Sequence, residues 1–163
     1  MKLLLKLTLL VAVLGLGACA NNRYLGDTTI NPNAAGAAGD PNSVAYCNQT
    51  VGDRVLFLVD QSSLTPTAEA TLDDQADWLL RNMEYTALIE GHADEQGTRE
   101  YNLALGARRA ASVQAYLISR GVSASRLNTI SYGKERPIEI CSNESCYAQN
   151  RRAVTVLSAG LGS

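Results

Sequence analysis

Two rhythms of apolar side chains run along this chain. Residues 51–59 are rich in β-favouring side chains, with Val55, Phe57 and Val59 on one face, and predict a strand. Ser62, Ser63, Thr65 and Pro66 then mark a turn into a helix. Pro66 suits the first helical position, where the missing N–H has no intrahelical partner to lose. Leu72, Ala76, Leu79 and Leu80 give that helix a buried face, and Asn82 ends it. Residues 85–90 form the next strand. Gly91 and Gly97 bracket a polar loop that follows Glu90 and holds His92, Asp94, Glu95 and Gln96. Thr98 caps a long helix, because its hydroxyl can accept from a free amide of the first turn. Leu103, Ala107, Ala110, Val113 and Leu117 recur at steps of three and four and predict its apolar stripe. Gly121 supplies the C-terminal cap. Residues 127–132 make a third strand closed by Gly133, 137–146 a loop, 147–150 a helical turn, 153–157 a last strand and 158–163 a small-residue tail. This order predicts an α+β fold, a βαβαβ-type mixed sheet with helices packed on one face.

The N-terminus follows a different logic. Lys2 and Lys6 flank the start of an apolar run over 7–16, too short for the ~20 residues that a comfortable bilayer span needs. The run ends in Leu16-Gly17-Ala18-Cys19, which resembles a bacterial lipobox. The resemblance implies a lipoprotein signal peptide over 1–18 and acylation of Cys19. Several acyl chains hold firmly where one is marginal. Ala20 stands where an aspartate would retain a lipoprotein in the inner membrane, so the resemblance points to the outer membrane. Residues 19–45 read as the lipidated cysteine and a flexible tether. Asn, Ala, Gly, Asp and Pro dominate there, and too few large apolar side chains offset the entropy of ordering. The folded domain is expected over 46–163.

At 163 residues there is room for one ordinary domain plus appendages. The net charge of −2 gives no global basic footprint, so no nucleic-acid partner is expected. Of four cysteines, Cys19 is assigned to lipid, leaving three in an oxidising compartment. Cys141 and Cys146 can meet if their loop folds back, and closing so short a ring gives roughly 2–3 kcal/mol in the chain-entropy model. That bridge is favoured; a pairing with Cys47 is the alternative. His92 is the only histidine and lacks the companions of a metal site, so a structural hydrogen-bonding role is expected. A hydrolase would need Ser62 or Ser63 with His92, but there is no nucleophile elbow. No glycine loop for phosphate is present. No enzyme activity and no cofactor are expected. Asp94 in the polar loop and Arg109 on the helix, off its apolar stripe, are an acid and a base on rigid backbone that could grip a zwitterion.

The segment EGHADEQGTREYNLALGARRA over 90–110, SYGKERP over 131–137 and NRRAV over 150–154 together resemble the OmpA C-terminal-like family. The likeness covers about 51–157, and the lipobox and tether agree with its lipid-anchored members. It implies non-covalent binding of the peptidoglycan stem through meso-diaminopimelate, which carries an amine and a carboxylate on one carbon. Asp94 would take the ammonium and Arg109 the carboxylate, through paired charge-assisted hydrogen bonds. Asn102 would brace the loop, and one of Arg151 and Arg152 would line the pocket. The resemblance also implies TolB and the energised Tol complex as partners. A chaperone-like or assembly lipoprotein sharing the wall-binding module is the second reading. The chain departs from the family at Phe57-Leu58-Val59-Asp60, where many members read Phe-Asp-x-Asp. A ligand or partner contact at Leu58 is therefore in question.

Overall fold

The structure, a computed structural model, describes residues 39–159. The signal peptide over 1–18, Cys19, most of the 19–45 tether and the 160–163 tail lie outside them. The elements run α1 (Val44–Tyr46), which continues as a π-helix over Cys47–Gly52, β1 (Arg54–Leu56), α2 (Pro66–Arg81), β2 (Tyr85–His92), α3 (Arg99–Ser119), a 3-10 turn over Ala124–Arg126, β3 (Leu127–Gly133), α4 (Glu144–Asn150) and β4 (Arg152–Ala159). The sheet order is β1-β4-β2-β3. β4 is antiparallel to both β1 and β2, while β2 and β3 are parallel. The expected mixed sheet is present. Its core joins Val55, Ala87, Ile89, Leu127 and Ala153 of the strands to Leu72, Trp78, Leu79, Val113 and Leu117 of α2 and α3.

Local chemistry explains the element ends. The Thr65 hydroxyl accepts from Ala68 N before α2, with Pro66 behind it. Thr98 does the same for Tyr101 N before α3, and Asn143 for Cys146 N before α4. These side chains satisfy donors that have no intrahelical partner. Gln75, buried in α2, donates to Gly52 O and accepts from Thr155 Oγ1, tying the helix to β4. Among the described residues no helix is long and apolar enough to cross a membrane.

Several sequence expectations change here. Val51 lies in the π-helix, and β1 keeps only three residues. Val55 and Phe57 are buried, but Val59 is exposed, because the chain turns at Asp60 with φ +58. Leu80 is exposed, and Trp78 takes its place in the core, with Nε1 donating to Pro41 O. That bond shows the chain packing on the domain before residue 46, within the segment expected to be tether. Gly91 and His92 belong to β2 rather than to the loop. The short helical turn expected over 147–150 begins earlier, at Glu144.

The largest difference is the roll of α3. Leu103 and Ala107, expected on its buried stripe, are exposed; Asn102, Leu105, Gly106 and Arg109 face inward with Ala110, Val113 and Leu117. The cause is a close crossing of α3 over β2. A Cβ at Gly91 would land on the Gly106 carbonyl, and one at Gly106 would strike Ser131 Oγ and Gly91 O. Two glycines let the helix backbone sit on the strand, and a helix seated there must turn its 102/106/109/113 line inward.

Cys141 and Cys146 are joined, with Cα atoms 6.0 Å apart, and the bond ties the loop to the first turn of α4. Cys47 is a free, buried thiol, pushed up to about 11 by burial and by Asp53.

Candidate functional site

The site is built where β2 ends. Asp94 follows β2 and is 8% exposed. Its Oδ1 accepts from Gln96 N at 3.1 Å, and its Oδ2 accepts from Arg151 Nη1 at 3.2 Å. Arg151 also donates through Nε to Phe57 O at 3.2 Å and through Nη2 to Glu144. Burial works against the Arg151 charge, but hydrogen bonds to Glu144 and Asp94 outweigh it and hold its pKa above the usual value. Of the late arginine pair, Arg151 is therefore the one beside Asp94. Arg152 turns to the other side of the sheet, donating to Asn150 O at 3.3 Å and Arg136 O at 3.1 Å.

Arg109 is fully buried, contrary to the expectation that it stands off the buried stripe. It donates to three backbone carbonyls: Gln61 and His92 at 2.8 Å each, and Leu58 at 3.2 Å. Its guanidinium also lies 5.2 Å from the Phe57 ring centroid. Burial pushes its pKa down to about 10, partly offset by Asp94. At neutral pH it is still a cation. It holds the 58–61 turn against the end of β2, and two of its five N–H groups remain beyond those three bonds.

A cleft of about 280 Å³ opens beside this cluster. Asp94, Gln96, Asn102 and Leu105 form one part of its wall, and Val59, Asp60 and Tyr101 another. Asn102 is buried and donates to Gln96 O at 2.8 Å, so it braces the loop that carries Asp94. Arg109 does not line the cleft. Asp60 accepts from Tyr101 OH across it. Its left-handed backbone is costly for a residue with a side chain, and such costs are often kept at binding sites. Leu58 contributes its carbonyl to Arg109, while its side chain is 55% exposed.

Sequence reasoning missed Tyr101 and the buttress behind the loop. Lys134 Nζ donates to Gly97 O at 2.7 Å, and Glu95 accepts from Tyr147 OH at 3.1 Å. The 131–137 motif was visible, but its role was not, since these contacts join residues 37 or more positions apart. His92 also departs from expectation. It is 2% exposed, and neither ring nitrogen has a hydrogen-bond partner among the described residues. Its ring packs on Tyr132 instead, with centroids 5.5 Å apart.

An acid backed by a buried arginine thus stands at the end of a sheet strand, on the wall of a cleft. The chain belongs to the OmpA family, whose model matches residues 56–151. Within that family it is 51% identical to the peptidoglycan-associated lipoprotein of Rhizobium meliloti (strain 1021), over 94% of this chain and 87% of that one. It is 52% identical to the peptidoglycan-associated lipoprotein of Mesorhizobium japonicum, over 94% of this chain and 91% of that one. The crystal structure of the peptidoglycan-associated lipoprotein from Burkholderia pseudomallei is 37% identical, with a TM-score of 0.66 over 74% of this chain and 98% of that one.

Proposed function

We propose that this chain is a non-catalytic anchor that holds the outer membrane to the cell wall. Lipid on Cys19 would fix one end, and the cleft beside Asp94 would bind the diaminopimelate of the peptidoglycan stem. The observation that carries this reading is a cleft of small-ligand size with Asp94 and Asp60 on its wall, where Asp94 is held from behind by Arg151. The names of the similar proteins support it. The ammonium of the ligand pairs with Asp94, with Asp60 as a second acid on the wall. The resemblance assigns the ligand carboxylate to Arg109, which lies behind the cleft wall rather than on it, so a ligand carboxylate reaches it only if the 58–61 turn gives way. In the wider cell the resemblance adds TolB and the Tol complex as partners during envelope constriction.

The test is sedimentation with purified sacculi. Asp94→Ala should lose about 2–5 kcal/mol of binding, because it leaves the ligand ammonium unpaired in a partly buried place. Arg109→Lys keeps the charge but cannot serve three carbonyls and a carboxylate together, and should also pellet poorly. Circular dichroism checks that both variants are folded. Walls with lysine in place of diaminopimelate lack the extra carboxylate and should bind less. Folded variants that pellet like wild type, or indifference to wall type, would place the site elsewhere.

A further inference from the structure

We propose that the loop closed by the Cys141–Cys146 bond positions the acid of the binding cleft, holding it through Glu144 on Arg151 and through Ser142 and Tyr147 on Glu95. The inference rests on the reading of Asp94 as the group that takes the ligand ammonium. Ser142 and Glu144 lie inside the ring that the bond closes, and Tyr147 directly follows Cys146. Ser142 Oγ donates to Glu95 Oε1 at 3.3 Å, and Tyr147 OH donates to the same oxygen at 3.1 Å. Both bonds fix the loop one residue from Asp94. Glu144 accepts from Arg151 Nη2, while Arg151 Nη1 donates to Asp94 Oδ2 at 3.2 Å. The ring therefore reaches Asp94 by two routes, through its neighbour and through its arginine.

Little else orders this part of the chain. None of residues 134–149 is buried, and none belongs to the hydrophobic core. α4 has seven residues, too few for a helix to hold without outside ties. Buried Asn150 supplies one tie. Its Oδ1 accepts from Ile138 N at 2.9 Å and Glu139 N at 3.2 Å, and its Nδ2 donates to Glu139 O at 2.8 Å. That fixes residues 138–139 to the end of α4. At the start of α4 the Asn143 cap and the disulfide hold the chain. A segment without buried apolar side chains opens at little cost, and a short covalent ring removes most of that freedom. One exposed hydrogen bond does not offset the entropy of ordering a residue, so the contacts of Ser142, Glu144 and Tyr147 depend on the bond.

Charge gives the contact its consequence for binding. Arg151 alone against Asp94 would neutralise the acid and repel an incoming ammonium. Glu144 engages Nη2 of the same guanidinium and offsets its charge, so Asp94 keeps a net pull on a cation. If the loop swings away, the guanidinium turns wholly to Asp94. The acid also loses the neighbour that holds its loop, and with it the geometry in which Oδ1 accepts from Gln96 N.

The test uses the full-length chain in detergent with diaminopimelate-type sacculi. Cys141→Ser together with Cys146→Ser should leave the domain folded by circular dichroism and weaken sacculus binding about fivefold to tenfold. Amide hydrogen exchange should quicken at Gln96, whose N–H meets Asp94 Oδ1, and stay unchanged at Ile89 and Val113 in the core. Glu144→Gln leaves the disulfide intact and removes only the charge. It should weaken binding severalfold, and it decides the matter alone if the serine pair does not fold. In the serine-pair background, Glu144→Gln and Tyr147→Phe should cost little more, because the contact each removes is already gone. Losses that simply add would overturn the proposal. Ile140→Ser, on an 88% exposed side chain of the same loop, is the control and should bind as wild type. Asp94→Ala separates the two readings. If it pellets like wild type, the cleft is misassigned and this inference falls with it. If it loses binding while the folded serine pair and Glu144→Gln bind as wild type, the cleft stands and the positioning role of the loop is overturned.

Discussion

Arg109 and His92 are both buried polar residues at the end of β2, and they meet burial in opposite ways. Arg109 keeps its charge by giving three N–H groups to carbonyls of Gln61, His92 and Leu58. Removing it would strand those carbonyls at a cost of about 1–3 kcal/mol each where water cannot reach. Arg109→Ala would thus lose fold together with binding, which is why lysine is the informative replacement. His92 keeps its ring neutral. Burial, then Arg152 and Arg136, push its pKa from 6.5 down to about 4. The unfolded chain therefore binds a proton near pH 6.5 that the folded protein refuses until about pH 4. Stability from this residue is full above pH 6.5 and is lost as pH falls through that window, by about 3 kcal/mol in all and about 2 kcal/mol between pH 7.0 and 4.5. Urea denaturation of wild type and His92→Leu at pH 7.0 and 4.5 measures it. The variant should lose less on acidification by roughly that amount, and an equal loss in both would show that His92 is not the group responsible.

At the scale of elements, the crossing of α3 on β2 sets the site. Its glycine contact fixes which line of α3 faces the sheet, and so places Asn102 against the Gln96 carbonyl and Arg109 against the end of β2. Gly106→Ala puts a methyl group into Ser131 Oγ and the backbone of Gly91. The helix must lift, at a cost of about 1–3 kcal/mol or more. Thermal melting should show a midpoint lower by several degrees. Sacculus binding should fall further than stability alone explains, because the same shift moves Asn102 and Arg109. The exposed Ala107→Ser on the same helix is the control and should leave both unchanged. A Gly106→Ala protein with the melting point of wild type would show that the contact is not tight.

At the scale of the molecule, an anchor must be held at two ends, and the proposed lipid end lies at Cys19. Cys19→Ser should abolish labelling with a palmitate analogue and release the protein from the membrane fraction. The wall-binding domain should still sediment with sacculi, because its core is made by residues from Cys47 to Leu157. Equal labelling of wild type and variant would remove the lipid anchor from the reading. Loss of sacculus binding in the soluble variant would show that the two ends do not act separately.

The sequence by itself determined the sheet-and-helix class, the punctuation of most elements and the position of Asp94. Those features rest on local physics: a threonine before free amides, a proline at a first turn, a glycine after a last one, alternation within a strand. It also showed the 131–137 motif without its task. Which way Arg109 points was decided only by tertiary structure. Period and phase along α3 favoured Leu103 and Ala107 for the inner face, since apolar side chains usually win it. The actual phase came from a backbone contact between Gly91 and Gly106, and a buried guanidinium became tolerable because carbonyls 17, 48 and 51 positions away converge on it. The same holds for the choice of Arg151, just before β4, over Arg152, its first residue, since neighbouring side chains along an extended chain point to opposite sides. Local pattern records what each residue prefers; partners brought from distant parts of the chain decide which preferences are overruled.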